Sequence, residues 1–191
     1  MSAENVETFR GVRIALSPLG ERSSRRRTLD ERLFVRLPVL FRPFSIGLMR
    51  LSPRFRPRQR LVARLIRRAY AAANRRDFGL ILMSRDPDSE YRPAADLLAP
   101  DQDQVFAGHD GYLRMWRNWL DAFEDLRFDP EGVLDLGNRF LVTARQQGHG
   151  ASSGLAVSQP IFQLFEGQRG PGRLATGLQQ SVGSARSRRT A

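Results

Sequence analysis

Apolar and polar residues follow two different periods along this chain. From Arg58 to Arg76, Leu61, Val62, Leu65, Ile66, Ala69, Tyr70 and Ala73 recur at three and four, with Arg60, Arg64, Arg67 and Arg68 opposite them. That spacing predicts an amphipathic helix. Asp77 stands where it can cap a second, short helix over "FGLILM". "SEYRP" reads as a short strand closed by Pro93, and residues 94–107 read as a loop. The longest helical pattern starts at "GHDGYLRMW", where Gly108 and Asp110 suit a helix start. Tyr112, Trp116, Trp119, Leu120 and Phe123 then form one stripe, which at this spacing is a core face.

Beyond that stripe the period changes to two. "LRFDPEGVLDL" leads through "GN" into "RFLVTARQQ", and "GHGASSG" turns the chain into "LAVSQPIFQLF". Alternating runs joined by Gly- and Asn-containing turns predict antiparallel hairpins. Phe140, Val142, Ala144 and Gln146 fall on one face of the middle strand, which is expected to be the inner one. Three helices on one face of a curved, mostly antiparallel sheet make an α+β domain.

Charge divides the 191-residue chain in three. Residues 1–76 carry 19 Arg and 5 acids, residues 77–166 carry 7 Arg and 15 acids, and residues 167–191 carry 5 Arg and none. The expected organisation is an Arg-rich N-terminal extension over 1–57, a folded domain over 58–166 and a basic C-terminal tail over 167–191. Residues 1–30, with "RSSRRR", show little periodicity and are expected to be disordered. Residues 31–57 mix apolar clusters with Pro38, Pro43 and Pro53, which predicts short helical pieces packed as an arm. The tail is expected to be partly disordered, with "RLATGLQ" as a weak strand.

Composition narrows the chemistry. The absence of cysteine removes disulfides, thiolate metal sites and cysteine nucleophiles, and the absence of lysine removes Schiff-base chemistry. No apolar run approaches the roughly 20 residues of a membrane span, and the start lacks the order of a signal peptide, so a cytoplasmic setting is expected. His109 and His149 are too far apart for metal-ligand spacing, so neither a metal nor another cofactor is expected. No nucleic-acid module is present, so nucleic acid is not an expected partner. The Arg-rich arm could make weak contact with an anionic membrane.

"AYAAANRRDFGLILM", "GHDGYLRMWRNWLDAFEDLRFDPEGVLDLGNRFLVTARQQGHGASSG" and the strand that follows resemble the SnoaL-like branch of the nuclear-transport-factor-2-like superfamily, over about residues 58–166. The resemblance implies a cone, with a curved sheet around helices, a pocket at the wide end and a homodimer formed through the sheet. Relatives include polyketide cyclases, ketosteroid isomerase, scytalone dehydratase and limonene epoxide hydrolase. The steroid-isomerase site would place a carboxylate before the proline of the first strand, where this chain has Arg92. It would place a second acid in the strand beginning "PI", where this chain has Phe162. That acid pair is absent.

The remaining candidates are few. Glu90 lies two residues before Arg92 on the same face, and these two are the candidate catalytic pair, with a solvated ion pair as the plainer reading. Tyr70, Trp116, Trp119, Gln146, Gln159 and Phe162 are the candidate ligand-binding residues. Arg145 and His149 share the outer side of their strand, about 13 Å apart, and are candidate rim residues. No acid in the sequence evidently orients His149, which is placed in a Gly-rich turn. Three functions stay open. One is a cyclase-, isomerase- or dehydratase-type enzyme acting on a small apolar or polycyclic molecule. The second is a non-catalytic binding or dimerisation module, and the third is an anionic-surface binder using the Arg-rich arm.

Overall fold

The computed structural model describes residues 6–9, 12–15, 17–18, 27–36, 44, 47–93, 105–167 and 174–180. Its helices are α1 (Leu29–Arg36), α2 (Arg56–Asn74), α3 (Phe78–Met83) and α4 (Gly108–Ala122). Its strands are β1 (Val6–Phe9), β2 (Val12–Ala15), β3 (Ser17–Pro18), β4 (Glu90–Tyr91), β5 (Phe106–Ala107), β6 (Arg127–Asp135), β7 (Arg139–His149), β8 (Ala156–Gly167) and β9 (Leu174–Gln180). The main sheet has five strands in the order β3-β6-β7-β8-β9, every neighbouring pair antiparallel. The architecture is α+β.

Alternation in β7 decides which face is covered. Phe140, Val142, Ala144 and Gln146 are buried, as the two-residue period predicts. Against them pack Ile161 of β8, Val62, Ala63, Tyr70 and Ala73 of α2, and Tyr112, Met115, Trp116 and Trp119 of α4. Leu120 and Phe123 are only partly buried, because α4 ends at Ala122 and Phe123 is already extended, bridging to Gly150. Gly108 starts α4 at φ +69°, where an added Cβ would stand 2.8 Å from the Pro87 carbonyl oxygen. Only glycine fits there.

α2 is fixed at both ends. Near its start, Arg58 is 1% exposed and donates Nε and Nη2 to the two carboxylate oxygens of Asp135, at 2.8 and 2.9 Å. It also donates to the carbonyls of Met49, Leu51 and Gly137. At its end, the Asn74 side chain donates to the Phe128 carbonyl and accepts from the Phe128 N–H, at 2.8 and 2.9 Å. The helix stops at Asn74, short of Arg76, because Arg76 adopts φ +60°. The Arg76 guanidinium caps the Ala73 carbonyl, reaches the Leu126 carbonyl and lies 5.4 Å from the centre of the Trp116 ring.

Residues 6–18, within the N-terminal stretch expected to be disordered, include strands: β1 pairs β2, and β3 pairs β6 at Ser17–Val133 and Pro18–Gly132. Short-range alternation of Val12 and Ile14 carries this pattern, which the surrounding arginines mask. The arm is docked. Thr28 caps α1, with its N–H on Glu31, and Arg27 forks onto Asp77 at 2.6 and 2.7 Å. Arg75 meets Glu31 at 3.0 Å, and Leu48 joins the core at 4% exposure. Within the expected loop 94–107, Phe106 and Ala107 pair with Tyr91 and Glu90. In the tail, the strand expected over "RLATGLQ" is β9, which pairs with β8 and carries the sheet past residue 166. Residues 94–104 and 181–191 lie outside the described residues.

Candidate functional site

Two adjoining hollows lie between the helices and the inner face of the sheet, with volumes of about 130 Å³ and about 70 Å³. The larger runs between α2 and α3 and is mostly aliphatic, lined by Leu65, Ile66, Leu80, Met83 and Phe140 among others. The smaller is aromatic, walled by Tyr70 of α2, Tyr112, Trp116 and Trp119 of α4, and Tyr91 of β4, with Phe128 and Gln163 from the sheet. Ala69, Ile81, Ser84, Arg85 and Phe165 belong to both. α2 and α4 supply walls because their small and aromatic residues fall on the stripes that face the sheet.

Arg85 is the polar centre of this region. Its guanidinium carbon lies 5.2 Å from the Phe165 ring centre, 5.3 Å from that of Tyr112 and 5.6 Å from that of Tyr91. That is a cation enclosed by three aromatic rings. Among the described residues no carboxylate forms an ion pair with it. The short α3–β4 connection places it, turning back over α4 so that His109 meets the Arg85 carbonyl.

The other polar groups here are proton donors. The Tyr70 hydroxyl donates to Gln163 Oε1. Burial pushes the Tyr70 hydroxyl far above the ordinary phenol range, with Arg85 acting against it. Burial likewise raises Tyr112, again opposed by Arg85. Both phenols therefore stay protonated near neutral pH. The Trp116 indole N–H is buried and meets no protein acceptor. Among the described residues no Asp or Glu lines the smaller hollow, and Glu31, paired with Arg75, lines the larger.

The sequence candidates scatter around this centre. Tyr70, Trp116, Trp119 and Arg92 line the smaller hollow. Glu90 does not line it. It pairs with Arg92 at 2.8 Å, with both side chains more than half exposed. Gln146 and Gln159 are register partners on the inner face, but neither lines a hollow. Gln146 is buried with Oε1 unpaired, and Gln159 is half-buried.

Phe162 is a correction. β8 runs without a register shift against β7, so Ile161, Gln163 and Phe165 face inward and Phe162 faces outward, opposite Thr143. Arg145 is on the outer face, 3.0 Å from Glu131, the residue at the β6 bulge. His149 is corrected twice. It ends β7 and does not sit in the turn, and an acid does hold it. Its backbone N–H donates to Asp125 at 2.7 Å, and Nδ1 lies 2.9 Å from the other Asp125 oxygen. His149 holds the Asp125 carboxyl below its ordinary range. Both side chains are more than half exposed, away from the hollows.

Among the described residues no group of three His, Cys, Asp or Glu is placed to hold a metal ion, and no helix is long and apolar enough to cross a membrane.

Residues 66–175, more than half of the chain, match the SnoaL-like domain family. The chain belongs to the SnoaL-like family. The match includes Arg85, Gln163 and Phe165, and it ends inside β9. No functionally curated protein is significantly similar to this SnoaL-like chain. Solved structures share its fold. An NTF2-like protein from Burkholderia pseudomallei is 19% identical, with a TM-score of 0.54 over 61% of this chain and 86% of that one. An NTF2-like protein from Burkholderia thailandensis is 17% identical, with a TM-score of 0.54 over 62% and 88%. TerC, co-crystallised with polyporic acid, is 17% identical, with a TM-score of 0.52 over 59% and 85%.

Proposed function

We propose that this SnoaL-like protein binds a small apolar or aromatic molecule in the paired hollows beneath α2 and α4. One observation carries the reading: aromatic and aliphatic walls converge on a few donors, foremost the half-buried Arg85. Ligand sites have this composition, apolar with a small number of placed polar groups. TerC, which shares the fold, was crystallised with a small molecule. The size favours a molecule of about one ring over a polycycle, since an apolar cavity of about 150 Å³ takes one benzene.

Binding is favoured over proton-transfer catalysis. A general base must titrate near the working pH and reach its proton. The phenols here are held protonated, and Glu90, the candidate base, is on the surface beside Arg92. A donor set of this kind can polarise a carbonyl without removing a proton. Ala69→Phe tests the reading, because Ala69 borders both hollows from an exposed position. One-ring fragments that quench Trp116 fluorescence in the native protein should cease to do so in the variant. Unchanged quenching would place the binding elsewhere.

A second copy is the partner we propose for the outer sheet face. Leu134, Leu141 and Leu164 stand in one cross-strand row there, each partly exposed, with Phe162 nearby. Sedimentation at increasing concentration should show a dimer, and Leu141→Arg should return it to a monomer. The anionic-surface reading has less support, because Arg27 of the arm is committed to Asp77.

A further inference from the structure

We infer that the molecule held in these hollows carries an anionic oxygen, a carboxylate or enolate, and that Arg85 is the group that receives it. The inference rests on the ligand-binding reading above and names the ligand's chemical class.

The charge balance of the site is the starting point. Arg58 has Asp135 and Arg75 has Glu31, while Arg76 spends its N–H groups on the Ala73 and Leu126 carbonyls. Arg92, the other cation at the smaller hollow, has Glu90. Among the described residues Arg85 has no acid, only three ring faces and the neutral Tyr112 hydroxyl. Aromatic faces and a phenol attract a guanidinium but give its N–H groups no anionic acceptor. Those donors fit the two oxygens of a carboxylate, a pairing that is shorter and stronger than a neutral hydrogen bond. The surroundings add donors, and the acceptors present are already engaged, Gln163 Oε1 by Tyr70 and Glu31, at the larger hollow, by Arg75. The Trp116 N–H meets no acceptor among the described residues, Tyr112 is protonated, and none of the described Asp or Glu residues lines the smaller hollow.

Position sets the shape of the ligand. Arg85 and Phe165 belong to both hollows, so an anion on Arg85 leaves its apolar body room toward the aliphatic side, along Leu65, Ile66 and Leu80. The class is an aryl- or alkyl-substituted acid of modest size, with the acid at the junction. Arg85 is half-buried, and a hydrogen bond from a partly desolvated guanidinium to an anion outweighs one to a neutral isostere.

The test uses the full chain and two probes of one shape, 4-phenylbutyrate and its amide, with affinity read by calorimetry and by Trp116 fluorescence. The native protein should bind the acid roughly 10- to 100-fold more tightly than the amide, the range for a hydrogen bond to a charged group. Arg85→Met should erase the preference while keeping amide binding, and Arg85→Lys should restore part of it. Arg145→Gln, which removes a positive charge from the outer face, should leave the preference intact. If Arg85→Met fails to fold, the lysine variant decides, since it keeps the charge but loses the two-pronged geometry. Equal binding of acid and amide by the native protein, or a preference that survives Arg85→Lys undiminished, overturns the inference and leaves the ligand-binding reading standing. Absence of binding by both probes overturns the two together.

Discussion

Replacing Arg58 with methionine should unfold this protein more readily than any surface change. The side chain is 1% exposed, and Asp135, its partner, is 6% exposed. Methionine fills much of the same volume but leaves the Asp135 carboxylate buried with only the Gly137 N–H as a donor, at 2.9 Å. It also strips the Met49, Leu51 and Gly137 carbonyls of their donor. Removing one partner of a buried pair costs about 3–5 kcal/mol, because an uncompensated charge stays behind. For a chain of this size each kcal/mol lowers the melting temperature by roughly 2–4 °C, so a fall of about 6–20 °C is expected. Urea denaturation followed by far-ultraviolet circular dichroism measures it, with an unchanged slope showing that the folded state itself is preserved. Adding Asp135→Leu to Arg58→Met should recover a large part of the loss, since the stranded charge is then gone. A single-variant loss below about 1 kcal/mol, or a double variant no better than the single, refutes the reasoning.

Trp116→Phe should cost far less than Trp116→Ala, which should lose about 3–5 kcal/mol, because the indole N–H meets no protein acceptor and the packing is what the ring supplies; equal losses in denaturation would show a hidden hydrogen bond. Arg27 holds the Asp77 carboxyl below its ordinary value of 3.8, a depressed acid whose contribution is complete above that value and fades as pH falls through the lower, folded one. Asp77→Asn should therefore flatten the acid limb of a melting-temperature profile below about pH 4, and an unaltered limb would contradict this. His149→Ala should leave thermal stability and the binding of both probes unchanged, since its pair with Asp125 is solvent-exposed; a loss of binding would move the site to this strand end. Gly108→Ala should destabilise by more than about 1 kcal/mol through its positive φ and the Pro87 contact, read from the same denaturation curves.

Legibility tracked the range of the interaction. The helical stripe of α2, the Asp77 cap, the strand order and the inner face of β7 all follow from residues a few positions apart. The phase of β8 does not. Both alternate sets of "SQPIFQLF" mix apolar and polar residues, so Phe162 and Phe165 look alike until the register with β7 sends them to opposite faces. Asp125 and His149 are 24 positions apart, and Arg58 and Asp135 are 77 apart. Each pairing is invisible until the fold closes. Arg85 sits in a run of charged residues, "SRDPDSEY", that reads as solvated surface. Only the turn of the α3–β4 connection brings it among rings contributed by β4, α4 and β8.

The pair of residues that ends α2 has a bearing on how the protein behaves in company. The outer edge of β6 offers the Leu126 carbonyl and both backbone groups of Phe128, the kind of row onto which a stray strand from another molecule can add. Asn74 imitates a neighbouring strand by engaging both groups of Phe128, and Arg76 takes the Leu126 carbonyl. Farther along the same edge, β3 occupies Gly132 and Val133, with Pro18 unable to extend the ladder. A helix terminus thus serves as a guard on a sheet margin. Its loss through Asn74→Ala would be felt first as clumping at high concentration, with much of the fold still in place.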